Sequence, residues 1–188
     1  MARVRGLALF LVLAGCTQPA PPSPWENVGV RVVDGVPQLR EVEIELTRTE
    51  CFGWCPAYTV KLSGDGTLTY TGTSYVKTKG THYDTLDPQR LLPLLERFRD
   101  LDFLAREHEC GVVVVDNPHA QVALRIAARS SKVEDQVVSR ENSWGLAVED
   151  AEWHRKMYEL EAAIDALANI EFWIGTEAER GAQRDEWR

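Results

Sequence analysis

Two strand-like segments in the first half of the chain are joined by a turn of only four residues, 63–66. Apolar and polar residues alternate on both sides of it, with Val60 and Leu62 before the turn and Leu68 and Tyr70 after it. This period of two is typical of a strand that buries one face. Two of the four turn residues are glycines, which suits a tight hairpin, whereas a parallel connection needs about a dozen residues or more. The sequence therefore predicts antiparallel pairing.

The remaining patterned segments follow the order strands, helix, strands, helix. Asp87 and Pro88 are typical of a helix start, while Pro93 either kinks that helix or marks the start of its regular part. We therefore expect an α+β fold, a mainly antiparallel β-sheet with two helices packed on one face. The predicted strands cover residues 42–47, 58–62, 68–70, 73–83, 112–115, 122–126 and 133–138, and the predicted helices cover residues 87–101 and 149–168.

The first fifteen residues have the pattern of a lipoprotein signal peptide. Arg3 and Arg5 precede an apolar run, residues 7–13, that ends at Ala-Gly-Cys with the cysteine at Cys16. The run is shorter than the roughly 20 apolar residues that span a membrane. We therefore expect cleavage before Cys16 and lipidation of its thiol, the alternative being an ordinary secretory signal with an unrelated cysteine. Thr17, where an aspartate would favour retention at the inner membrane, predicts an outer-membrane anchor facing the periplasm.

Composition divides the chain into four parts. Residues 1–15 form the predicted signal peptide, and residues 16–40 carry the lipidated cysteine and a proline-rich tether with five of the nine prolines. Residues 41–175 are expected to form a single domain, followed by a polar tail over residues 176–188. Within the tether, residues 28–33 form a short strand or lie against the domain.

The charge balance limits the classes of partner. The chain has 29 acidic and 21 basic residues, a formal net charge of −8, and its Lys and Arg residues do not cluster. We therefore expect no nucleic-acid partner. The sequence has no phosphate-binding loop, zinc-protease motif or nucleophile elbow, so we predict a non-catalytic domain with no cofactor.

Two cysteines separated by three residues form the most distinctive local motif. In an oxidising envelope, Cys51 and Cys55 form a disulfide with each other, or one of them pairs with Cys110. A zinc or copper site built from Cys51, Cys55, His108 and Cys110, or thiol-redox chemistry, is the alternative. Cys-x-x-x-Cys-Pro also resembles the copper-binding motif of thioredoxin-like copper chaperones. In that fold the cysteines open a helix, whereas the residues after Pro56 here are patterned as a strand.

Two further candidate sites are weaker. Asp116 and His119 flank a turn and are candidates for an acid and a base, although a turn-capping aspartate beside an exposed histidine is the favoured interpretation. Four tryptophans are candidates for stacking on glycan rings, although packing in the core is favoured for most of them. These are Trp54, Trp144, Trp153 and Trp173.

The pattern around the cysteines resembles a family of uncharacterised bacterial domains of unknown function. The resemblance starts with Cys-Phe-Gly-x-Cys-Pro-x-Tyr over residues 51–58 and continues with the glycine hairpin and Tyr70-x-Gly72. It extends through Asp116-x-Pro118 to Leu-Glu-x-x-Ile-Asp over residues 160–165 and Trp-Ile-Gly over residues 173–175, so it covers residues 41–175. The resemblance implies a location in the cell envelope and supplies no activity.

The anchor, the tether and the lack of a catalytic motif together favour a non-catalytic, lipid-anchored envelope domain. We expect it to bind a protein or a glycan through its sheet or through the cysteine motif. The alternative is a periplasmic thiol-redox or metal-handling protein that uses the two cysteines.

Overall fold

The computed structural model describes residues 28–104, 119–126, 136–143 and 151–180. Two 3-10 turns, Leu39–Glu41 and Pro88–Leu91, accompany the regular elements. The strands of the described part are β1 (Val32–Val33), β2 (Val36–Pro37), β3 (Val42–Arg48), β4 (Ala57–Ser63), β5 (Thr67–Ser74), β6 (Gly80–Thr85), β7 (His119–Ile126) and β8 (Gln136–Ser143). The helices are α1 (Leu92–Asp100), α2 (Ala151–Leu167) and α3 (Ile170–Ile174).

Six of these strands form one sheet in the order β6-β5-β4-β3-β7-β8. Every neighbouring pair is antiparallel, and β1 and β2 form a separate two-stranded antiparallel sheet. The first four strands of the large sheet are joined by short connections, whereas the chain between β6 and β7 crosses the sheet and includes α1. The predicted α+β class with a mainly antiparallel sheet is confirmed.

The two faces of the sheet differ sharply in polarity. The inner face carries the apolar residues of the alternating pattern, and α1, α2 and α3 cover it with their own buried side chains. Burial of each large aliphatic side chain contributes about 1.5–3 kcal/mol, so this face accounts for much of the folding free energy. Its fully buried members include Ile44, Leu46, Val60, Leu62, Tyr70, Val122 and Leu124 from the sheet and Leu95, Phe98, Met157, Leu160 and Ile164 from the helices.

The hairpin between β4 and β5 needs its two glycines for different reasons. Gly66 has a φ of +95°, a conformation that favours glycine. Gly64 instead lies against the backbone of Leu39, where a Cβ atom would stand 1.5 Å from the carbonyl oxygen. The turn was therefore predicted correctly, but only Gly66 is there for a positive φ.

The first helical region begins as Asp87 and Pro88 predict. The Asp87 carboxylate accepts a hydrogen bond from the backbone N–H of Gln89, at 3.0 Å, and a 3-10 turn follows. The α-helix proper begins at Leu92 with Pro93 in its first turn, where the missing backbone donor is tolerated.

The structure corrects the strand predicted over residues 73–83. β5 ends at Ser74, and the next strand occupies Gly80–Thr85. Between them the chain leaves the sheet, because the backbone N–H groups of Lys77 and Thr78 donate to the carbonyls of Ile174 and Trp173 at the end of α3. α3 itself was not predicted, and these bonds satisfy carbonyls that a helix end leaves unpaired.

The folded region begins upstream of residue 41. Val28 and Val30 are each only 1% exposed and belong to the core with Leu39. The predicted tether over residues 16–40 therefore includes a segment that packs on the domain. The signal-peptide region, the strand predicted over residues 112–115 and the end of the polar tail lie outside the described residues. No helix in the described ranges has the length and apolarity needed to span a membrane.

Candidate functional site

A disulfide-closed loop joins β3 to β4 at one end of the sheet. Cys51 and Cys55 are bonded, with their Cα atoms 5.7 Å apart, so the first of the predicted pairings is the one that the structure contains. We call residues 51–55 the disulfide loop. Cys110 and His108 lie outside the described residues.

The disulfide loop presents aromatic side chains to solvent. Phe52 is 92% exposed and Trp54 is 43% exposed. The Trp54 ring packs edge-on against Tyr75, with ring centroids 4.7 Å apart, and the Ser74 hydroxyl donates to the Glu50 carboxylate at 2.6 Å. The end of β5 therefore supports the loop from one side, and Phe52 projects free of the domain.

An arginine, a tyrosine and an aspartate form a hydrogen-bonded cluster where β3 and β4 flank the loop. Arg48 and Tyr58 lie directly opposite each other on the two strands. The Arg48 guanidinium donates from Nε to the Tyr58 hydroxyl at 3.0 Å and from Nη2 to Asp165 Oδ2 at 2.8 Å. The Tyr58 hydroxyl in turn donates to Asp165 Oδ1 at 2.7 Å.

A second carboxylate of α2 completes this cluster. Arg48 Nη1 donates to Glu161 Oε2 at 3.2 Å, and the Glu161 side chain is only 2% exposed. Burial of a charge is costly unless it is paired and hydrogen-bonded, and one guanidinium can serve two carboxylates at once. We call Arg48, Tyr58, Glu161 and Asp165 the Arg48 cluster. It connects both strands that carry the disulfide loop to α2.

The electrostatics of the cluster keep its groups in one protonation state. Burial is the largest single influence and opposes the charge of Arg48, but Asp165, Tyr58 and Glu161 together outweigh it and raise the arginine's pKa above its ordinary value. Burial first, and the negative charge of Asp165 second, also raise the pKa of Tyr58 well above its ordinary value. Arg48 therefore stays charged and Tyr58 stays neutral across the physiological range.

Two motifs of the sequence meet at this end of the sheet. Tyr58 closes the cysteine motif, while Glu161 and Asp165 belong to the Leu-Glu-x-x-Ile-Asp segment. The structure brings them together through Arg48, which sequence reasoning missed. A signal was present, because Arg48 follows Leu46 at an inward position of the alternating strand, and a charge on a buried face requires a partner.

The proposed acid and base pair is only partly described. His119 begins β7, and its Nδ1 lies 3.1 Å from the Thr49 hydroxyl, whose oxygen also accepts the backbone N–H of His119. Asp116 lies outside the described residues. The contact with Thr49 links β7 to the connection that carries the disulfide loop.

The four candidate tryptophans have different environments. Trp173 is 8% exposed and stacks on Tyr70 with ring centroids 5.0 Å apart, which is a core position. Trp153 is partly buried against the core, and Trp144 lies outside the described residues. Of the described tryptophans, only Trp54 exposes more than a third of its surface.

In the part of the chain that the structure describes, no group of three or more His, Cys, Asp or Glu side chains is arranged to hold a metal ion. The predicted set of Cys51, Cys55, His108 and Cys110 includes two residues outside that part.

These features define an α+β domain with an antiparallel sheet covered by helices on one face and a disulfide-closed aromatic loop at one end. The sequence profile of DUF6438, a domain of unknown function, matches residues 42–167. The chain therefore belongs to this family, and the matched range includes the disulfide loop and the whole Arg48 cluster but ends before α3. A comparison with curated proteins finds no match.

Proposed function

We propose that this protein is a lipid-anchored component of the bacterial cell envelope whose domain binds a partner protein through the disulfide loop, without catalysing a reaction. The anchor is the one predicted at Cys16, which would hold the domain at the outer membrane on its periplasmic side. A glycan partner is the other possibility that the sequence leaves open.

The exposure of Phe52 is the observation that carries this proposal. An apolar ring that is 92% exposed gains most from burial in a partner. Aromatic residues dominate the energetics of protein interfaces, and Trp54 adds a second, partly exposed ring within the same loop. A protein surface with an apolar pocket fits this pair better than a polar glycan does.

The covalent and polar constraints around the loop support a binding role. A loop that is already closed by a disulfide loses less conformational freedom on binding than an open one. The Arg48 cluster and the contact between Trp54 and Tyr75 limit the motion of the segments on both sides. The loop is thus organised before any partner arrives.

The protonation states at the site support a non-catalytic role. A general acid or base works best when its pKa lies near the working pH. Arg48 and Tyr58 both have pKa values raised away from neutrality, which favours a structural task for the cluster.

The test is a capture experiment on envelope extracts with matched variants. The wild-type chain and Val36→Ala, which alters an exposed apolar side chain outside the loop, are expected to retain the same specific protein. Phe52→Ala is expected to lose it. Capture of no specific protein by the wild-type chain would contradict the proposal, as would equal capture by Phe52→Ala. Specific retention of the chain on glycan beads would show instead that the partner is a glycan.

Thiol-redox chemistry is the second candidate, because both cysteines lie in a loop and are only partly buried. Intact mass after alkylation in a glutathione buffer separates the two functions. A bridge that stays closed supports the binding role, whereas a bridge that opens readily, or a metal retained by the reduced chain, supports redox or metal handling.

A further inference from the structure

The strand β6 forms one edge of the large sheet. The backbone N–H of Leu86 donates to the carbonyl of Gly66 at 2.9 Å, which fixes the alternation of hydrogen bonds between β5 and β6. By that alternation His82 and Asp84 bond to β5, while Thr81, Tyr83 and Thr85 direct their backbone groups away from it. Such an edge can accept another strand.

Apolar side chains are exposed on both faces next to this edge. Tyr83, on the face away from the helices, is 73% exposed. On the helix side, Phe172 of α3 is 61% exposed and packs edge-on against Trp173, whose ring lies 5.8 Å from that of His82. A strand added to β6 would therefore cover aromatic surface above and below the sheet.

We propose that a second copy of this chain occupies the edge, with the two β6 strands pairing antiparallel about a two-fold axis at Tyr83. The axis joins two six-stranded sheets into one continuous sheet. This interface lies outside the disulfide loop and does not depend on the function proposed for that loop.

The sequence of β6 is complementary to itself in this register. Directly opposed residues of antiparallel strands share a face, so His82 of each copy stands opposite Asp84 of the other. Thr81 stands opposite Thr85, and the two Tyr83 residues face each other. A histidine can donate a hydrogen bond to an aspartate, and β-branched and aromatic pairs are among the cross-strand combinations that stabilise sheets.

The backbone also fits this pairing. The N–H and carbonyl of Tyr83 in each copy point at those of the other, which gives a hydrogen-bonded pair at the axis. The Thr81 groups meet those of Thr85, whose N–H in the single chain is held by the Asp84 carboxylate at 2.7 Å. On pairing, that N–H donates to a carbonyl of the second copy in place of the Asp84 oxygen. The Asp84 carboxylate is then available to His82 of the second copy.

The helices leave room for this arrangement. α3 packs over β5, where Trp173 stacks on Tyr70. The two β5 strands of the pair would lie three strand spacings apart, about 14 Å. This distance lets the two α3 helices stand side by side without overlap.

The first test is the mass of the purified chain by sedimentation equilibrium at micromolar concentrations. The wild-type chain is expected to have twice the mass of one chain, as is Phe52→Ala, which changes an exposed aromatic residue outside the interface. Tyr83→Pro removes an outward N–H without breaking the bonds to β5 and is expected to be a folded monomer. A monomeric wild-type chain overturns the proposal, and so does a dimer that Tyr83→Pro leaves intact. The proposal is also overturned if β6 pairs with a strand of a different protein and not with a second copy of this chain.

An exchange of charges tests the register independently of any folding defect in the proline variant. His82→Glu opposes two carboxylates at two places and should raise the dimer dissociation constant about tenfold. Asp84→Lys removes the carboxylate opposite His82 and should raise the constant as well. The double variant His82→Glu with Asp84→Lys places opposite charges at both positions and should return the constant to near the wild-type value. Additive weakening in the double variant overturns the proposed register.

Discussion

At the scale of single residues, Arg48 has the most consequential position. It ends β3 on the inner face, after Val42, Ile44 and Leu46, where the pattern of the strand calls for another apolar side chain. Its side chain is 27% exposed, and its nearest charged partners on α2 are less exposed still. A buried charge of this kind is tolerated because the partners satisfy it, so the removal of Arg48 leaves two carboxylates without their counter-charge.

We predict that Arg48→Met lowers the free energy of unfolding by about 3 kcal/mol, the cost of breaking a buried ion pair. Arg125→Met is the matched control, since Arg125 is 51% exposed and its nitrogen lies 3.7 Å from Glu43 on the polar face. That variant should lose less than about 1 kcal/mol. Urea unfolding followed by tryptophan fluorescence measures both, and equal losses would show that the Arg48 cluster contributes no special stability.

Tyr58 makes the stability of the fold depend on pH in the alkaline range. Its pKa is raised in the folded chain above the ordinary value of 10.0, so the folded state holds the hydroxyl proton longer than the unfolded state does. The stabilisation is thus fully present below pH 10 and is lost as the pH rises above it.

We therefore predict that above pH 10 the wild-type chain loses about 1.4 kcal/mol of stability per pH unit more than Tyr58→Phe does. The variant keeps the other tyrosines, so the difference between the two chains in the dependence of unfolding free energy on pH is due to Tyr58. Unfolding curves at several pH values between 8 and about 11 provide the measurement. If the unfolding free energies of the two chains fall in parallel as the pH rises, a neutral, hydrogen-bonded Tyr58 is contradicted.

At the scale of elements, the connection between β3 and β4 is held at three places. The disulfide closes residues 51–55, the Arg48 cluster ties the two strand ends to α2, and Thr49 bonds to the first residue of β7. Within the loop, the backbone N–H of Gly53 donates to the carbonyl of Cys51 at 2.7 Å, which forms a tight turn around Phe52. The loop is therefore a defined element and not a loose connection.

We predict that the double variant Cys51→Ser with Cys55→Ser loses on the order of 2 kcal/mol, as expected for a bridge that closes a short loop. Its capture of the partner protein should fall as well, since the open loop must be ordered on binding. Wild-type chain that has been reduced and alkylated is the control and should behave in the same way. Unchanged stability and unchanged capture would show that the bridge has no part in organising the loop.

At the scale of the whole molecule, the two proposed binding surfaces, the disulfide loop and the β6 edge, lie on different parts of the domain. The disulfide loop lies at the end of the sheet where β3 meets β4, whereas β6 is a lateral edge, and the helices pack on one face. The opposite face is lined by polar side chains, among them Lys61 in contact with Glu43 and Glu45. A molecule built in this way can pair with a copy of itself and hold a different partner at the same time.

The predicted anchor at Cys16 would attach this whole assembly to a membrane. We expect Cys16→Ser to move the protein from the membrane fraction to the soluble periplasmic fraction, because the acyl chains supply the membrane affinity. Val36→Ala, which keeps the anchor, should stay with the membrane. Fractionation with detection of the bound lipid by intact mass checks this, and an unchanged distribution of Cys16→Ser would contradict lipid anchoring.

Local patterns in the sequence were enough to predict much of the fold. The alternation over β3, β4 and β5, the glycine turn and the Asp87 cap all act between near neighbours, so their physical basis is visible in a few residues. The pairing of Cys51 with Cys55 remained one of several possibilities, because a cysteine's partner depends on distances that composition does not reveal.

The tertiary structure alone decided the contacts between distant segments. Arg48 and Asp165 are 117 positions apart and meet only because β3 and α2 pack against each other, so neither pattern by itself indicates the pair. In the same way, backbone hydrogen bonds join α3 to the segment before β6. Because these bonds connect distant parts of the chain, local sequence patterns missed both features. The sequence by itself determined most of the strands and the two longer helices, with the faces that they bury, because those follow from periodicity. Only packing determined which polar groups lie next to the disulfide loop.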